Sequence, residues 1–169
     1  MNQKPTEEEY AGDAGEYIRL VPDGNIIDIL LAQKKQMTEL LASLTESQAA
    51  FRYAEGKWTL KEVVGHIVDS ERVMTYRLLR FARGDQTPLS GFDQELFTSP
   101  FESWTTAQMA EDYLAVRQST ITLLSGLPEE AWSRNGTANN TNITVRALAY
   151  GIVGHELHHM GVIRNRYLS

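Results

Sequence analysis

Three threonines constrain the fold of this chain more than any other feature. Thr59, Thr105 and Thr144 each stand directly before a run of apolar residues at helical spacing. Thr59 is followed three positions later by Glu62, and Thr105 by Gln108. Each pair is a capping box: the hydroxyl accepts from the later amide, and the later side chain accepts from the threonine amide. These signals predict helices from Leu60 to about Arg83, from Thr106 to about Ser125 and from Val145 to about Tyr167. Gly84 and Gly126 follow the first two as helix-stopping glycines. An earlier run, Ile26, Ile27, Leu30, Leu31, Leu40 and Leu41, predicts a helix over about 25–43. No segment reads as a convincing strand, and NGTANNTN, residues 135–142, reads as a polar turn cluster. The expected class is all-α, a four-helix bundle with long connecting loops.

A length of 169 residues fits one domain. Residues 1–24 are polar and carry Pro5 and Pro22, so they read as an N-terminal arm placed to close over a bundle domain of residues 25–169. The stretch DQTPLSGFDQELFTSPFESW, residues 85–104, is long enough to act as a lid. The net charge is −6, which argues against a nucleic-acid partner, since phosphate binding needs clustered cations. No apolar run approaches the roughly 20 residues of a membrane span, and the N-terminus has no apolar signal core. No membrane partner is therefore expected, and the cytoplasm is the expected compartment. There is no cysteine, so any sulfur nucleophile must come from outside the chain.

The chemistry gathers near the end of the chain. IVGHELHHMG, residues 152–161, holds three of the four histidines. His155 and His159 are four apart and share a helix face with Leu148, Ile152, Val162 and Ile163, so they sit in an apolar stripe. His158 lies off that stripe. His155, Glu156 and His159 fit the H-E-x-x-H pattern of zinc proteases, but little chain remains for a downstream ligand, and Glu156 is turned toward the flank with Ala149 and Met160. Two histidines do not close a metal site. The one other histidine is His66, on the helix after Thr59. Gly65 precedes it as Gly154 precedes His155, and two small residues there would let their helices approach. The pattern leaves two readings open: a three-histidine metal site, or histidines that only make local hydrogen bonds.

GKWTLKEVVGHIVDSERVMTYRLLRFARGDQTPLSGFDQ, followed much later by TVRALAYGIVGHELHHMGVIRNRYL, resembles the DinB-like superfamily in its YfiT-like branch. The resemblance spans about residues 25–168. It implies an up-down-down-up bundle, a homodimer, and a divalent metal held by His66, His155 and His159, with Zn or Ni the usual ions. The family often has R-G-Q after the histidine pair. Here Met160, Gly161 and Val162 stand there, which removes any role for a glutamine. Relatives in this fold include thiol-dependent S-transferases and metal-dependent hydrolases acting on small molecules.

The resemblance therefore implies a metalloenzyme that activates a low-molecular-weight thiol cosubstrate or water. The alternative is a non-catalytic metal-binding or stress-response protein in which the ion staples the bundle. Glu62 and Asp69, each near one turn from His66, are candidates to orient ligands or accept a proton, or are solvated charges on a helix face. Arg77 has no acid at i±3 or i±4, so it is a candidate for an anionic substrate group, or else a solvated charge or the partner of another helix.

Overall fold

The computed structural model describes residues 3–169, with the backbone alone at 98–100. The four long helices form where their caps and spacing place them: α2 (Ile26–Ser43), α4 (Leu60–Ala82), α6 (Thr106–Ser125) and α7 (Val145–Val162). Shorter helices are α1 (Ala14–Leu20), α3 (Glu46–Ala49) and α5 (Gln94–Thr98). The capping boxes of Thr59 with Glu62 and of Thr105 with Gln108 are both formed, and Thr144 caps α7 through the amide of Ala147. Gly84 follows α4 at φ +81°, where a side chain would be strained. The final turn, Ile163–Tyr167, widens into a π-helix that keeps Ile163 buried.

The bundle is a ring in which α2 packs on α6, α6 on α4, α4 on α7, and α7 on α2. Successive long helices α2 and α4 thus stand diagonally. Cross-contacts give the directions. Lys34 of α2 bonds Gln118 late in α6, while Glu46, just beyond the end of α2, accepts from Thr106 at the start of α6, so α2 and α6 run antiparallel. Arg72 meets Asp112 while Thr75 meets Thr120, so α4 and α6 run parallel. His66 meets His155 while Met74 faces Gly151, so α4 and α7 run antiparallel. The order is up-down-down-up.

Two apolar cores fill the ring. One holds Leu30, Leu78, Phe81, Ile121, Trp132 and Leu148; the other holds Met37, Leu60, Ile67, Met109, Tyr113 and Met160. Between them lies a polar layer with one residue from each long helix: Gln33, Glu71, Arg117 and Glu156. Arg117 has no exposed surface. It donates to both oxygens of Glu71, to Glu156 and to Gln33. Tyr113 donates to Glu156, and Gln33 donates to the Val153 carbonyl at 2.9 Å. Burial opposes the charge on Arg117, but the carboxylates of Glu156 and Glu71 outweigh it and keep the guanidinium protonated.

Two expectations need correction. The polar stretch at 135–144 is a β-hairpin of β1 (Asn135–Ala138) and β2 (Thr141–Thr144), not a simple turn. Asn139 and Asn140 both take positive φ, as a two-residue hairpin turn requires, and asparagine tolerates that conformation better than most residues. Leu89 adds a parallel bridge to Ala138, which fastens the long loop to the hairpin. The glycines beside the histidines serve other neighbours. A β-carbon at Gly65 would stand 2.2 Å from the ring of Phe101, and one at Gly154 would stand 2.0 Å from the carbonyl oxygen of Tyr17. Gly65 admits the long loop, and Gly154 admits α1 of the N-terminal arm. Among the described residues, no helix is long and apolar enough to cross a membrane.

Candidate metal centre

His66 lies two turns into α4, and His155 and His159 lie on the facing side of α7. Their donor nitrogens all fall within 4.8 Å of one another. The Nε2 atoms of His66 and His155 stand 3.0 Å apart. Two nitrogens each about 2.1 Å from a shared ion lie roughly 3.0 Å apart at a right angle and roughly 3.4 Å apart in a tetrahedron. The Ser70 hydroxyl lies 3.4 Å from His66 Nδ1, the far side of the ring, where it can hold Nε2 toward the cluster. Trp58 packs against His66 with ring centroids 5.0 Å apart.

Burial keeps these imidazoles neutral. It lowers His66 to about 4. It lowers His159 to about 3, with the nearby His66 and His158 adding to the effect. His155 is pushed well below the usual histidine range by burial, then by its three neighbours. Neutral imidazole is the form that binds metals, so the donor set fits a divalent ion.

His158 stays outside the cluster. Its ring meets His159 and Tyr17 edge-on. Tyr17 also meets His155, with centroids 5.3 Å apart. The arm therefore reaches the site, and this the spacing of the sequence did not reveal. Glu156 lies on the flank away from the cluster, but its partners were not legible in the spacing. It is 1% exposed, and its carboxylate meets Arg117 and Tyr113 in the polar layer. It is committed to the core rather than to a proteolytic water.

Two cavities reach the histidines. One of about 290 Å³ ends at His159 and is lined by Trp58, Glu95, Val162 and Tyr167. The other, of about 360 Å³, ends at His155 and is lined by Tyr17, Met74, Arg77, Asn139 and Gly151. Glu62 and Asp69 line neither. Glu62 accepts from both the amide and the hydroxyl of Thr59 and pairs with Arg52 at 3.0 Å. Asp69 pairs with Arg72 at 3.0 Å, and burial raises its pKa. Of the three non-histidine candidates, Arg77 alone shares a cavity wall with a histidine of the cluster. From the long loop, Gln94 and Glu95 line the His159 cavity, while Phe92 lies beneath Arg77.

Comparison with known proteins agrees with this architecture. The chain is 28% identical over 137 residues to a protein of Oceanobacillus iheyensis named "Putative metal-dependent hydrolase", covering 76% of each. It is 23% identical over 141 residues to a Bacillus pumilus protein of the same name, covering 81% of this chain and 80% of that one. Among solved structures it is similar to YfiT from Bacillus subtilis, a "probable metal-dependent hydrolase with an unusual four-helix bundle topology". That match has a TM-score of 0.71 at 20% identity over 96% of this chain and 90% of YfiT. It is also similar in fold to the mycothiol-dependent maleylpyruvate isomerase, with a TM-score of 0.65 at 12% identity over 87% of this chain and 59% of that one. Residues 29–163 match the sequence profile of the DinB superfamily, and the chain belongs to that family.

Proposed function

We propose that the protein is a metal-dependent enzyme acting on a small molecule, with His66, His155 and His159 holding one divalent ion, Zn or Ni. The observation that carries this reading is the convergence of three neutral imidazoles, His66 and His155 buried and His159 half-buried, with one cavity reaching His159 and another reaching His155. A staple for the bundle needs neither cavity. Bound there, the ion would lower the pKa of a coordinated water or thiol toward neutrality. The chain's own residues do the rest. Ser70 orients His66, Trp58 shields it, and Val162 and Tyr167 give the His159 cavity partly apolar walls.

Two cavities leave room for two reactants on different sides of the cluster. That supports an S-transferase using a low-molecular-weight thiol, and the fold shared with a mycothiol-dependent enzyme agrees. The names of the two sequence relatives support hydrolysis instead. The homodimer implied by the family resemblance belongs to the same reading, and sedimentation velocity tests it. Metal analysis of the purified wild type beside His66→Ala and His159→Ala tests the centre. Stoichiometric metal in both variants would remove it. Incubating the loaded protein with monochlorobimane and bacillithiol, mycothiol, glutathione or coenzyme A separates the two chemistries. A rate above the metal-free control for one thiol supports transfer; no such rate leaves hydrolysis.

A further inference from the structure

The larger cavity carries a cation, Arg77, that no carboxylate among the described residues pairs with. Arg77 is half-buried, and burial lowers its pKa with no acid acting in the other direction. Its guanidinium donates to the Ser90 carbonyl at 2.9 Å and lies 5.9 Å from the centre of the Phe92 ring. Among the described residues, no carboxylate forms an ion pair with it. Arg72, Arg80 and Arg117 differ, each meeting at least one carboxylate. Asp13 lines the same cavity but is exposed and makes no ion pair with Arg77. Desolvating a cation without a counter-charge is costly, and a ligand anion would offset that cost.

Much of the remaining wall is apolar, although Asn139 and Thr141 also line it. Met74, Ile143, Leu148 and Gly151 lie along it, with His155 at the far end and Tyr17 of the arm forming part of the wall. His66 and Arg77 are eleven residues apart on α4, about 16 Å along the axis. Helical side chains lean toward the N-terminus, which brings the guanidinium back toward the histidines. A volume of about 360 Å³ falls at the small end of ligand pockets.

We infer that this cavity is the substrate pocket, and that it takes a small organic acid whose carboxylate pairs with Arg77 while its apolar body runs between Met74 and Tyr17 toward His155. The inference rests on reading His155 as part of the metal centre. The arm then helps decide which acid fits, because α1 supplies Tyr17.

The test uses the full chain, metal-free and zinc-loaded, with phenylacetate and its neutral isostere phenylacetamide. Binding is followed by backbone-amide NMR and titration calorimetry. Phenylacetate is expected to shift Gly151 and Tyr17 in both forms and to bind about tenfold or more tightly than the amide. Arg77→Gln is expected to erase that preference while zinc stoichiometry stays unchanged, and Arg77→Lys to keep part of it. Equal binding of acid and amide by the wild type would overturn the inference. So would acid binding that requires zinc and survives Arg77→Gln, since the carboxylate would then sit on the metal. The metal-free titration reads the pocket whether or not the metal centre stands, and zinc stoichiometry reads the centre alone.

Discussion

The carbonyl oxygen of Tyr17 lies where Gly154 has no β-carbon, so close that one built there would stand 2.0 Å away. This contact seats α1 on α7, one residue from His155. Gly154→Ala is therefore expected to push the arm off α7 and to lower stability by about 1–3 kcal/mol, the usual cost of overpacking. Limited proteolysis within residues 10–25 should accelerate, and thermal unfolding should shift downward. An unchanged melting temperature and cleavage rate would mean that the arm is not seated as described.

His158 provides a sharp control for the metal centre. It touches His159 and Tyr17 but lies outside the cluster of donor nitrogens. His158→Ala is expected to retain stoichiometric metal, whereas His155→Ala is expected to lose it. Elemental analysis after dialysis distinguishes them, and the reverse pattern would reassign the ligands.

The polar layer should dominate the mutational sensitivity of the bundle. Arg117→Ala leaves Glu71 and Glu156 buried without their cation, at an expected cost of about 3–5 kcal/mol in urea unfolding. Arg72 also meets two carboxylates, Asp69 and Asp112, but its side chain is 44% exposed. Arg72→Ala is expected to cost about 1 kcal/mol or less. Equal losses would show that the layer contributes no more than a surface pair.

The metal-free protein should weaken in mild acid. Burial holds His66 to about 4 and His159 to about 3, against 6.5 for an ordinary histidine. Between those values the unfolded chain binds more protons than the folded one, so the histidine contribution to stability is lost as pH drops below about 6.5 and is constant above it. Glu156, raised by burial, acts in the opposite sense over part of this range. The histidine contribution is therefore the difference between the wild type and a His66→Gln/His159→Gln double variant. Urea midpoints at about pH 5 and pH 7, with chelator present, give the slope of each. A wild-type slope no steeper than the variant's would contradict it.

The helices were legible because their signals are local. Thr59 with Glu62 and Thr105 with Gln108 fix two starts within a few residues, and apolar periodicity fixes the buried faces. The clustering of the three histidines was legible as one of two open readings, from spacing on α7 and scarcity elsewhere, and the family resemblance favoured it. What escaped depends on contacts distant in sequence. Gly154 looked like a spacer between helices, yet its neighbour is Tyr17 from the arm. Glu156 looked like a flank residue, yet its partner Arg117 lies 39 positions away on α6. The hairpin escaped because its strands are short and mostly polar, although Asn139 and Asn140 offered a turn signal.

The bridge from Leu89 to Ala138 has a consequence for Arg77. Two four-residue strands make a weak hairpin by themselves. Here Gly136 sits against the ring of Phe81, and Leu89 adds two more backbone hydrogen bonds, to Thr137 and from Asn139. The next residue along the loop is Ser90, whose carbonyl holds the guanidinium. A long connection that would otherwise wander is pinned one residue from the cation. An anion entering the cavity thus meets a partner already ordered, and little conformational entropy remains to be lost on that side when it binds.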